Sequence, residues 1–148
     1  QAMRDYQRMM MMQANDEQRA AYQKCLGSAE HASMTVQRMV APSAVIDVSS
    51  YREQTQQLQA ALAEMSAAHE HFAQGLSQFQ EKELRGNFKK MQQLQQEVNS
   101  RIQRFDQELS GSNSDGKRIQ KDSQKIQKAL DKWRAEHRKV GRELGIES

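Results

Sequence analysis

The stretch 116–144, GKRIQKDSQKIQKALDKWRAEHRKVGREL, decides the fold class. Ile119, Ser123, Ile126, Leu130, Trp133, His137, Val140 and Leu144 recur in it at spacings of three and four. That is the period of one face of an α-helix, sustained over about seven turns. Lys117, Lys121, Lys125, Lys128, Lys132 and Lys139 fall on the opposite face. A narrow apolar seam backed by a cationic face is a long amphipathic helix. The run Ser110-Gly111-Ser112-Asn113-Ser114-Asp115-Gly116 before it is turn chemistry, with Ser114 or Asp115 suited to the N-cap.

The same pattern extends upstream. Leu84, Phe88, Met91, Leu94, Val98, Ile102, Phe105 and Leu109 form a second stripe, and Tyr51, Leu58, Leu62, Met65, His69, Phe72, Leu76 and Phe79 a third. Ser50, with Glu53 three residues on, reads as a capping box. The two stripes differ in phase by one residue between Phe79 and Leu84. Either Arg85-Gly86-Asn87 is a turn, with Gly after one helix and Asn capping the next, or a single helix runs through. A lone Gly costs a helix only about 1 kcal/mol and forces no break. The turn at Gly86 is the preferred expectation.

The first segment is helical but less regular. Tyr22, Leu26, Ala29, Ser33, Val36 and Val40 make its stripe, and Asn15 with Gln18 looks like an internal cap where a kink or fresh start is expected. Pro42 ends it, and the apolar connector that follows is expected to cover the bundle end. Seams this narrow are buried only against one another. The expectation is therefore an all-α fold in one domain, 1–148. It is an antiparallel, up-down-up-down bundle of four long helices, about 3–40, 50–85, 87–109 and 116–144, with loops at 41–49 and 110–115. If 50–109 is continuous through Gly86, the helices number three.

Composition agrees. Hydrophobic residues make up 36% and charged residues 28%, a balance too polar for a thick core but suited to thin helices with much surface. Proline occurs once, which favours helix over disorder. The net charge of +3 is concentrated after Asp115. One cysteine, Cys25, excludes an intrachain disulfide framework. No apolar run approaches the roughly 18 residues of a membrane span, so no transmembrane segment is expected, although peripheral membrane contact is compatible with the basic last helix. The chain starts at Gln1 and not at an initiator Met, so either a signal peptide has been removed or the chain has been trimmed. Of the two, a periplasmic or secreted protein after signal removal is the preferred expectation.

Met9-Met10-Met11-Met12 is the most unusual feature, because four consecutive helical residues cannot share one face. Two of them packed in the core and two against a partner subunit or the 41–48 connector is one reading. A flexible protein-binding arm is another, and soft Cu(I) ligation a third, although no histidine lies in the run. His69 and His137 sit on apolar stripes and read as seam histidines, while Cys25 beside Leu26 reads as a buried thiol. His71 points away from His69 on a helix, and His69-Glu70-His71 is not the His-Glu-x-x-His zinc arrangement. Catalytic, nucleotide-binding and zinc-finger motifs are absent, so no enzyme, cofactor or metal is expected. The lysine face is a possible anionic-surface binder, but it lacks stacking side chains, and no nucleic acid is expected.

Asn15-Asp16-Glu17-Gln18-Arg19, after the Met-rich stretch, partly resembles the Leu-Thr-x-x-Gln element of small periplasmic helical stress chaperones. The Leu-Thr half is missing, the match spans five residues and it occurs once. The leading functional expectation is a non-enzymatic protein-interaction module: a scaffold, an assembly subunit or a chaperone-like binder, with a protein partner or a homo-oligomer. The alternatives are an exported metal- or stress-responsive sensor using Met and His, and anionic-surface binding by the last helix.

Overall fold

The computed structural model describes residues 1–40, 48–110 and 116–148. Residues 41–47 of the expected 41–49 loop, the caps Ser114 and Asp115, and the side chain of Lys117 lie outside the described residues, while Val48 and Ser49 begin α3. The described chain is all-helical: α1 Ala2–Met12, α2 Asp16–Val40, α3 Val48–Gln74, α4 Gln78–Ser110 and α5 Gly116–Glu143. None of the described helices is long and apolar enough to cross a membrane.

Most described stripe residues are buried, with Val40, His69, Leu76, Phe79, Phe88 and Leu94 half-buried. The third stripe does not stay on one helix: Leu76 falls in the turn after α3 and Phe79 on α4. All eight stripe residues of α5 are buried, and Trp133, Ile119 and Ile126 are among the largest side chains fully removed from water. Helix α2 packs on α3 and α5, α4 on α5 and more sparingly on α3, and α1 on α4. Tyr22 and Val40 of α2 bond His137 and Gln120 of α5, so early residues of one helix meet late residues of the other. The same holds for α4 and α5, where Asn87 bonds Glu136 and Glu108 pairs with Arg118.

Three expected boundaries are corrected. Helix α4 runs straight through Gly86, and the turn that breaks 50–109 is Gly75-Leu76-Ser77. The reason is local hydrogen bonding. Ser77 Oγ accepts from the Gln80 amide at 3.1 Å while Gln80 Oε1 accepts from the Ser77 amide at 2.9 Å, a complete capping box. Asn87, the expected cap, instead donates across the bundle to Glu136 at 2.9 Å. The helix expected over 3–40 is also two helices, separated at Gln13-Ala14-Asn15. Here the anticipated cap makes a full break. Asn15 Oδ1 accepts from the Gln18 amide at 2.7 Å, and Gln18 Oε1 accepts from the Asn15 amide at 3.0 Å. Helix α3 begins at Val48, so Ser50 lies inside its first turn rather than before it.

The two capping-box glutamines meet. Gln18 Nε2 donates to Gln80 Oε1 at 2.8 Å and to the Gly75 carbonyl at 2.9 Å, while Gln80 Nε2 donates to the Met12 carbonyl at 3.2 Å. One buried amide pair therefore locks both helix breaks at the same end of the bundle. The last turn of α5 closes there too. Gly145, at φ +72°, ends the helix with Ile146 N–H on the Gly141 carbonyl (2.8 Å) and Gly145 N–H on that of Arg142 (3.1 Å), a Schellman motif. The Leu144 carbonyl then accepts from the Ala14 amide at 2.9 Å.

Gly141 is required for close approach. A Cβ there would overlap the Tyr22 hydroxyl and stand 2.5 Å from Cζ of that fully buried ring. Gly141→Ala is expected to cost about 1–3 kcal/mol by overpacking, read as a lower urea midpoint. Tyr22→Phe, which removes a buried hydroxyl with no partner, should recover part of the loss. An unchanged midpoint in Gly141→Ala would show that the ring has room to move.

Candidate functional site

Cys25, His69 and His137 come from three different helices and converge in the core. On α2, Tyr22 and Cys25 are one turn apart; on α3, His69 and Phe72; on α5, Trp133 and His137. Spacings of three and four put each pair on the buried face of its helix. One donor atom from each of Cys25, His69 and His137 lies within 4.8 Å of the other two, and among the described residues no other such group of three occurs.

The surroundings are aromatic. The His137 ring stacks on Tyr22 at 4.2 Å and on Trp133 at 5.3 Å, with Phe72 edge-on at 5.5 Å. The His69 ring meets Phe88 at 5.2 Å and Trp133 at 5.4 Å. Burial among these rings disfavours charge. Desolvation holds both imidazoles down to about 4 and pushes the Cys25 thiol up to about 12. At neutral pH the two rings are uncharged and the thiol keeps its proton.

The proton on His137 can be placed. Its Nε2 lies 3.2 Å from the Tyr22 carbonyl oxygen, which only accepts, so a neutral ring carries its hydrogen on Nε2. Nδ1 is then a bare lone pair, and it is buried without a partner. His69 Nδ1 is likewise buried without a partner. A groove of about 720 Å³ between α3 and α4 reaches His69 and Phe88, with Glu70, Arg85 and Lys89 also along it.

Sequence reasoning treated these three residues separately, as seam histidines and a buried thiol. Their places on the apolar faces were legible, but no spacing motif joins ligands drawn from three helices. Of the four histidines, His69 and His137 lie in the core cluster and His31 and His71 are exposed, while Met9, Met10 and Met11 face solvent. His71 is exposed and takes no part in the cluster.

The methionine run divides otherwise than in pairs. Met12 is 1% exposed, whereas Met9, Met10 and Met11 are 54–58% exposed, and Tyr6 and Met3 are exposed too, at 58% and 75%. At about 100° per residue, Met3, Tyr6 and Met10 share an arc of about 60°, and Met12 lies on the opposite side of α1. Asp5 and Arg8 share the Met12 side, and Arg8 reaches Glu83 and Glu143 at 3.3 Å each. Helix α1 is thus anchored by an ionic clasp and one methionine, with its apolar stripe turned outward.

Lys121, Lys125, Lys128 and Lys132 form an exposed row on α5. Of the acidic residues that interleave with them in sequence, Asp122 and Glu136 are buried while Asp131 and Glu143 are exposed, and Glu136 pairs with Lys90 and Lys139 at 3.6 Å. The Asn15–Arg19 stretch has a structural role, since Asn15 and Gln18 cap α2. No protein-family model, curated protein or solved structure matches the chain.

Proposed function

We propose that the chain is a non-enzymatic protein-interaction module. In it α2–α5 serve as a rigid up-down-up-down bundle and α1 presents the contact surface. The carrying observation is the outward apolar stripe of Met3, Tyr6 and Met10, flanked by exposed Met9 and Met11. A surface helix ordinarily turns its apolar stripe inward, and contiguous exposed apolar side chains mark an interaction site. Methionine suits the task because its unbranched thioether adapts to the shape it meets.

The occupant is a second copy of α1. Spacings of three and four along Met3, Tyr6 and Met10 make a short coiled-coil seam, and a two-fold axis would set Tyr6 against Tyr6. At about 100° per residue Asp5 and Arg8 fall on the opposite side of the helix, and Arg4 lies about 100° round from Met3, outside the seam itself. An 11-residue helix offers only a small interface, so association is weak and concentration-dependent.

Sedimentation velocity over a concentration series tests the reading. The expected result is a monomer–dimer equilibrium for the native chain and a monomer for Met3→Gln/Tyr6→Gln/Met10→Gln at unchanged helicity. A native chain that stays monomeric throughout, or association that survives the triple substitution, overturns it.

A further inference from the structure

We propose that Cys25, His69 and His137 form a buried, three-coordinate site for Cu(I), independent of the α1 surface. The thiolate and two imidazoles are a soft donor set of the kind that Cu(I) prefers. Their donor atoms already lie within 4.8 Å of one another. A trigonal ion with bonds of about 2.0–2.3 Å needs donors roughly 3.5–3.7 Å apart, so closure takes about 1 Å of side-chain movement.

Three observations point to a ligand rather than to packing alone. His137 is fully buried, yet its Nδ1 has no partner, an uncommon expense in a core. Its other nitrogen is held by a backbone carbonyl, the support that metal-binding histidines usually have. His69 Nδ1 is a second orphaned nitrogen in the same cluster, and the α3–α4 groove gives His69 a route from solvent.

Charge selects the ion. On binding, the Cys25 S–H bond breaks, its proton leaves to solvent, and the sulfur lone pair bonds copper; copper stays Cu(I) and no electron is transferred. One Cu⁺ with one thiolate is neutral overall. Zn²⁺ with the same donors leaves a net +1 among Tyr22, Phe72 and Trp133, at a desolvation cost of several kcal/mol. Structural Zn²⁺ also takes a fourth protein ligand, and among the described residues the cluster offers three.

The test titrates the full metal-free chain with Cu(I), under anaerobic reducing conditions, against a chromophoric Cu(I) chelator. One equivalent is expected to be withheld from the chelator. Cys25→Ser should weaken retention by at least about 100-fold, since even loss of a supporting contact costs 10–100-fold. Met9→Leu/Met10→Leu/Met11→Leu should leave retention unchanged. X-ray absorption on the copper-loaded native chain should show one sulfur and two nitrogen scatterers, a readout that stands even where Cys25→Ser fails to fold. The proposal is overturned by no retention in the native chain, by retention that follows the Met run, or by an all-sulfur shell. It is also overturned if Co(II) or Zn(II) binds through Cys25 while Cu(I) is not retained.

Discussion

Acidifying the metal-free protein from about pH 7 to pH 4 is expected to remove several kcal/mol of stability, most of it through His69 and His137. Both imidazoles are held down to about 4 by burial, against 6.5 for an exposed ring. Below about pH 6.5 the unfolded chain takes up protons at both rings, while the folded chain refuses them until about pH 4. The unfolded state therefore binds more protons throughout that window, and stability falls as pH falls. Above about pH 6.5 the contribution is fully present. Each ring taken singly accounts for on the order of 3 kcal/mol. The groups facing the rings do not offset this. Cys25 and Tyr22 on α2 remain protonated and neutral, because burial raises both. Urea midpoints across the window, measured with a metal chelator present, check the expectation against a His69→Leu/His137→Phe variant. The native chain should lose stability much more steeply than the variant. Parallel decline of the two would show that the acid sensitivity lies elsewhere.

Gln80→Ala is expected to cost about 3 kcal/mol. The cost has three parts. The α4 capping box loses its return bond to Ser77, the buried Met12 carbonyl loses a donor, and a buried side chain leaves a void. Gln18 then keeps only the Gly75 carbonyl as acceptor for its Nε2. Gln18→Ala should cost a similar amount. Because each amide is the other's partner, the double variant should lose less than the sum, with a coupling of about 1 kcal/mol or more. Urea unfolding followed by circular dichroism measures all three. Additive losses would mean that the two helix breaks are stabilised separately.

These predictions show why some features were legible and others not. The α5 stripe was read residue by residue, and all eight positions are buried. Periodicity works there because one helix buries one face whatever it packs against. Gly86 misled because a glycine is conspicuous in a helix yet cheap to tolerate. Ser77-Gln78-Phe79-Gln80 carried the true start signal, a Ser with Gln three residues on, directly after Gly75. The Asn15–Gln18 signal was recognised, but whether it kinks or breaks the helix depends on what completes it. Gln80, 62 residues from Gln18, supplies that partner.

Long amphipathic helices are legible in the residues alone, because 3.6-residue periodicity and capping chemistry are local properties of the backbone. The residues also mark Met9–Met12 as more than one face could bury. That Met3, Tyr6 and Met10 look outward follows from packing between helices, since Arg8 must find Glu83 and Glu143 to fix the rotation of α1. Only the tertiary structure brought Cys25, His69 and His137 within 4.8 Å of one another. Their sequence separations hold no repeating interval, and packing between three helices, set by the aromatic side chains around them, is what makes them neighbours.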